Sequence, residues 1–238
     1  MGVSALVQAL TGFGFAIVSV GALTQLPWIA NSSVFNAVQP VAATLGALTG
    51  WLLLLPNIRD IQWRRISILL IASTITTPLG AALPELVDVN LLIRVLGALI
   101  SAYVLYSLTG VKVPKALGRD PAAWVLGMMA GALGGAFDIT GPPLVIHAEA
   151  AEWDSANGDF RRNLLTVVSV NSTVVVLWDW LSGRLNDFYY THFLVYAIPT
   201  TIIGIVLGKY LADRMDSTMF KNVVLGTCMI MGVKLMLS

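Results

Sequence analysis

Charge is what this chain of 238 residues has least of: Asp, Glu, Lys and Arg make up 11% of it, against roughly 25% in a soluble domain. With 57% of its residues hydrophobic, it has too little polar surface to cover a water-soluble fold, so it reads as an all-α polytopic membrane protein. A formal net charge of +1 leaves no basic field with which to hold nucleic acid. The single cysteine, Cys228, excludes a disulfide framework and a thiolate metal site. No His-x-x-x-His pair or Ser/His dyad is present, so no metal and no cofactor is expected. Met1-Gly-Val-Ser4 lacks the basic n-region of a signal peptide, and the first apolar stretch is expected to stay in the mature protein.

What the chain has instead is apolar runs. A helix needs about 20 apolar residues to cross the hydrocarbon core, and eight segments qualify: 3–28, 34–56, 65–84, 90–110, 122–150, 162–182, 190–212 and 218–237. The connection richest in charge and breakers, Lys112 to Pro121, divides them four and four. The expected organisation is a first repeat over 1–111, a linker over 112–121 and a second repeat over 122–238. Pairing the halves matches Gly12 with Gly135, Asn36 with Asn163, Trp51 with Trp178, and Leu79-Gly80 with Leu207-Gly208, which points to an internal duplication.

Segments one and five are each interrupted at the middle, by Leu10-Thr-Gly-Phe-Gly-Phe-Ala16 and by Leu133-Gly-Gly-Ala-Phe-Asp-Ile-Thr-Gly-Pro-Pro143. Lipid cannot satisfy the backbone groups that such a break frees, so a break belongs where it lines a cavity or packs on protein. Broken segments at matching places in two halves are the pattern of a transport site. Charge counting bears on how they run. If all eight segments cross, the Lys and Arg residues split 8 against 6; if segments one and five are re-entrant hairpins, they split 11 against 3. Because Lys and Arg collect in cytoplasmic loops, the second arrangement is expected: an inverted repeat in the inner membrane, basic loops cytoplasmic and both termini outside.

These residues resemble the TauE/SafE sulfite exporters, also called the toluene-sulfonate uptake permeases. The stretch from Gln8 to Leu23 is similar to that family's first Gly-rich motif, and Gly134 to Leu144 to its second. Gly21 stands where the family commonly has Pro, and Asp138-Ile-Thr140 departs from its usual Gly-rich run. The resemblance implies export or uptake of sulfite, another sulfur oxyanion or an organosulfonate, without ATP and with an ion gradient. An anion channel or a partner subunit without its own substrate is the alternative. An intramembrane enzyme fits worse, since Asp138 and Asp179 lack the Gly-x-Gly-Asp setting of aspartyl proteases.

An anion inside a membrane can be held by helix N-termini, which offer free N–H groups and about half a positive charge. The second half-helices are expected to start near Phe15–Val18 and Thr140–Pro143, with Pro142 and Pro143 in a first turn and Thr140 as a cap. Gly12, Gly14, Gly135 and Gly141 would let backbone approach closely. Gln8 and Thr11 belong to the first break. Asn36, Gln39, Asn163 and Asn171 are polar side chains on the following segments, fit either to line the site or to bond helix to helix. Asp138 is the one ionisable group at a break, expected to carry a coupling proton or to cap a half-helix N-terminus. The expected partners are therefore a small anion, the lipid bilayer and a coupling proton or cation; the oligomeric state is left open.

Overall fold

The computed structural model describes residues 1–23, 38–109, 113–153, 159–186, 188–212, 229 and 233. The expected segment 218–237, apart from two residues, and Asn36 lie outside them. Among the described residues nine α-helices follow in order: α1 (Gly2–Thr11), α2 (Phe15–Leu23), α3 (Gln39–Leu54), α4 (Trp63–Leu86), α5 (Val89–Thr109), α6 (Asp120–Phe137), α7 (Gly141–Ala150), α8 (Asp159–Leu181) and α9 (Phe188–Ala212). Among the described residues, five stretches are long and apolar enough to cross a membrane: Gln39–Asp60, Trp63–Leu86, Asn90–Thr109, Asp159–Leu181 and Leu194–Leu211. They match the expected segments two, three, four, six and seven.

Segments one and five are broken where the sequence marks them. In the first, Gly12 caps α1 with φ 89° and its N–H bonds the Gln8 carbonyl; a residue with a Cβ pays for that left-handed conformation, and glycine does not. Thr11 Oγ1 donates to the Phe13 carbonyl at 2.7 Å, which ties the non-helical link together. In the second, Asp138 takes the left-handed position with φ 56°, which Asp tolerates better than most residues. The first arm of that segment is longer than half a membrane. At 18 residues α6 measures about 27 Å, because Pro121 starts the helix back in the linker.

The fifth segment folds back on itself. Nδ1 of His147, near the end of α7, lies 2.9 Å from the Leu117 carbonyl just ahead of α6. A Cβ on Gly118 would stand 2.6 Å from the backbone of Ala150, and Lys115 meets Glu152 at 2.6 Å. The same end of the bundle collects the turn after α3 and the start of α8: Arg162 Nη1 donates to the Asp60 carbonyl at 3.2 Å, and the Gln62 N–H to Asn163 Oδ1 at 3.3 Å. The opposite end holds Arg184 on Glu85 at 2.6 Å and on Asp179 at 3.0 Å. Had the fifth segment crossed, Asp60 and Arg162 would lie at opposite ends, as would Glu85 and Arg184. Both pairs are in contact, so α6 and α7 form a hairpin.

Small residues set the tightest packing. Gly127, Gly131 and Gly135, spaced one per turn along α6, face the Leu69, Ser73 and Thr77 carbonyls of α4; Cβ atoms there would stand 3.0, 2.1 and 2.0 Å from those oxygens. Lipid gives helices no hydrophobic reason to associate, so such close approach is what joins them. A second contact of this kind joins α1 to α9, where a Cβ on Gly204 would stand 2.1 Å from the Gly2 carbonyl. Between these two pairs α3 lies against α8, with Trp51 Nε1 donating to Thr173 at 3.0 Å.

Candidate functional site

The two breaks meet. A Cβ on Gly141 would fall 2.3 Å from Cδ2 of Phe13, so the Phe13 ring of the first break rests on the backbone of the second. Between them is a cavity of about 10 Å³, lined by Gln8, residues 13–17, Gly46, residues 138–141, Val168 and Ser172. That is room for one water-sized particle. The amino ends of α2 and α7 both open onto it; the two helices start at Phe15 and Gly141, within the stretches where the sequence puts their starts.

The two ends differ in what they can donate. The first turn of α2 leaves the amides of Phe15, Ala16 and Ile17 without a carbonyl one turn earlier; the first α-helical bond at this end runs from Val18 N to the Gly14 carbonyl at 3.2 Å. At α7, Pro142 and Pro143 occupy the first turn and have no N–H, leaving the amides of Gly141 and Leu144. Amide donors for an anion are therefore concentrated on the first break.

The side chains around the cavity are mostly acceptors. Asp138 is 6% exposed, and its Oδ1 accepts a hydrogen bond from Ser172 Oγ of α8 at 2.7 Å. Gln8 is fully buried; its Nε2 donates to the Gly46 carbonyl at 3.2 Å, and its Oε1 has no partner. Oγ1 of Thr140 is buried and has no partner either. No Lys, Arg or His lines the cavity among the described residues.

Two expectations need correcting. Thr140 sits at the N-cap of α7 but makes no capping hydrogen bond through its side chain, because a cap accepts from the second or third amide of the helix and those positions are Pro142 and Pro143, which have no N–H. Asp138 does not cap a helix N-terminus: it ends α6, its N–H bonded to the Gly134 carbonyl at 2.7 Å.

The other polar candidates are spread more widely. Gln8, Gly14, Asp138, Thr140 and Gly141 line the cavity. Gln39 reaches the back of the second break, its Nε2 3.5 Å from the Gly135 carbonyl and its Oε1 unpartnered. Thr11 and Gly12 shape the first break from behind. Asn171 bonds helix to helix, accepting at Oδ1 from Ser73 at 3.1 Å and Thr77 at 3.4 Å. Asn163 holds Gln62 at the Arg162 end of the bundle. Ser172, Gly46 and Phe13 were not singled out by sequence; Phe13 lay inside the motif, while nothing local marks Ser172 or Gly46.

The comparisons with known proteins bear on this arrangement. The model of the family described as "Sulfite exporter TauE/SafE" matches residues 1–235. A curated relative from Cupriavidus necator, described as "Probable sulfite/organosulfonate exporter TauE", is 25% identical over 243 aligned positions, covering 100% of this chain and 91% of its own. No solved structure matches. A whole-chain family match, a bundle of apolar helices and two facing breaks lead to one assignment: the chain belongs to the sulfite exporter TauE/SafE family, a family of membrane transporters and not of enzymes.

Proposed function

We propose that this protein is an ion-coupled secondary transporter of a small anion, either sulfite, another sulfur oxyanion or an organosulfonate, held where the two breaks face each other. The observation that carries the reading is the shared cavity under Phe13 and Gly141, onto which two helix amino ends open. The amides of Phe15, Ala16 and Ile17 supply hydrogen bonds and positive potential to oxyanion oxygens at no cost in buried charge. Gly141 and Leu144 add donors from the other side. A space of about 10 Å³ is too small for a four-atom oxyanion, so binding parts Phe13 from Gly141.

The inverted repeat supports such parting. In the proposed duplication α6 corresponds to segment one and α4 to α9, so the tight pairs α6 with α4 and α1 with α9 are equivalents, each joining the broken segment of one half to the third segment of the other. Two rigid bodies that exchange elements in this way can rock about α3 and α8 and expose the breaks to either face. The end carrying Arg59, Lys115 and Arg162 is assigned to the cytoplasm by its basic loops.

The test is a thermal-shift screen of purified protein against sulfite, thiosulfate, sulfoacetate, taurine and simple carboxylates. A ligand at 100 times its Kd stabilises the folded state by about 2.7 kcal/mol, so one sulfur anion should raise the melting temperature in a saturable way. A flat response to every anion contradicts the proposal. Labelled-substrate counterflow in proteoliposomes then separates a carrier from a channel, since only a carrier exchanges.

A further inference from the structure

The reading above leaves a conflict: an anion is to be bound beside the buried carboxylate of Asp138, and no cation among the described side chains lines the cavity. The unsatisfied atoms around that carboxylate resolve it. Gln8 Oε1, an amide oxygen, can only accept, and it has no partner while its amide nitrogen is committed to the Gly46 carbonyl. Thr140 Oγ1 has lone pairs and no partner. Ser172 spends its proton on Asp138 Oδ1, which leaves its own oxygen free to accept. The carboxyl end of α6 arrives at the same place, Asp138 being its cap, and brings the negative end of a helix dipole.

We propose that Asp138, Gln8, Thr140 and Ser172 form a site for one sodium ion, the coupling ion, placed between the carboxylate and the bound anion. This rests on the transporter reading of the same cavity. Sodium is a hard cation that takes oxygen ligands, and half-helix carboxyl ends together with unwound backbone are where transporters hold it. A water-sized cavity suits a dehydrated sodium ion, with the anion's own oxygens completing its shell. Gln8 and Thr140 are at most 1% exposed, and their unpartnered oxygens are costly to leave so; a cation satisfies them and neutralises Asp138 in one step. Co-binding of cation and anion then follows from charge: sodium removes the repulsion that would exclude the anion, so each ion raises the affinity of the other. Asp179 on α8 is paired with Arg184 and does not line the cavity.

The experiment uses the full-length purified protein and the ion alone. Its melting temperature is followed against NaCl at constant ionic strength in choline chloride, for the parent, Asp138→Asn and Thr140→Val; sulfite titrations are run with and without sodium. The proposal expects a saturable rise with sodium, absent with choline. It expects apparent sodium affinity to weaken by about tenfold or more in each variant, the scale on which metal sites respond to altered ligand shells. Sulfite should bind more tightly with sodium in the parent. If Asp138→Asn does not fold, Thr140→Val alone decides, since it removes one hydroxyl at nearly constant shape. No sodium effect alongside intact sulfite binding overturns this site and leaves the transporter reading standing. Sulfite transport driven by a proton gradient and indifferent to sodium also overturns it. Sodium binding with no response to any sulfur anion leaves the cation site and removes the anion reading.

Discussion

Two carboxylates on the described helices are deeply buried, and they are held by opposite means. Asp138 is met by a hydroxyl, and Asp179 by the guanidinium of Arg184, whose side chain is 12% exposed and which also reaches Glu85 and the Ala81 carbonyl. Breaking a buried pair strands the surviving charge, at about 3–5 kcal/mol. Arg184→Met should therefore lower the stability of the detergent-solubilised protein by about that much, read as a fall in melting temperature; an unchanged melting temperature would show that the pair contributes nothing. Asp138 itself was legible in the sequence, because an ionisable residue inside an apolar run is costly enough to demand a reason. Its partner was not. Ser172 comes from a distant helix, and one serine among several in a membrane helix carries no local mark. Asn163 and Asn171 show the reverse: they recur at helical spacing, but spacing fixes a face and not what that face meets.

At the scale of elements, the hairpin of α6 and α7 is fixed by packing more than by charge. The glycine ladder against α4 leaves no space for a side chain, so Gly131→Leu would drive several atoms into the Ser73 carbonyl and the Thr76 hydroxyl. Overpacking of this kind costs about 1–3 kcal/mol or more, and the variant should express poorly or melt markedly earlier; a parent-like melting curve would contradict the close contact. The ion pair at the hairpin mouth is a contrast. Lys115 holds the Glu152 carboxyl below its ordinary range, and Glu152 holds the Lys115 ammonium above its own. Such a pair acts at neutral pH, fades as pH falls through the lowered pKa of Glu152, and fades again as pH rises through the raised pKa of Lys115. Both side chains are largely exposed, where ion pairs contribute little. Glu152→Gln should leave the melting temperature unchanged across that whole range, and a large pH-dependent loss would assign the mouth a different anchor. Both breaks were readable from Gly, Thr and Pro alone, since these residues cannot continue a helix cheaply. The length of α6 was not, because its extra turn lies in a polar linker that apolar-run counting passes over.

For the molecule as a whole, the charge count and the contacts agree on the second half: a folded-back fifth segment brings basic residues together, and Arg162 does reach Asp60. Cysteines placed singly at Arg59, Lys115 and Glu152 in a Cys228→Ser background should react with an impermeant maleimide from the cytoplasmic face, and one at the exposed Ser182 from the other. Labelling of Glu152 and Arg59 from opposite faces would mean that the fifth segment crosses. How the tips touch could not be read from sequence, since the contact of Phe13 with Gly141 joins residues far apart in the chain. Yet that contact is what makes two breaks into one site. The measurement that tests it is counterflow of labelled sulfite into proteoliposomes by the parent and by Gly141→Ala, whose new methyl would stand 2.3 Å from the Phe13 ring. Because binding parts Phe13 from Gly141, overpacking of the closed contact by about 1–3 kcal/mol predicts saturable exchange in the parent and roughly 10- to 100-fold tighter apparent affinity in the variant, partly reversed by adding Phe13→Leu. Saturable exchange with the same affinity in both proteins would place the anion elsewhere.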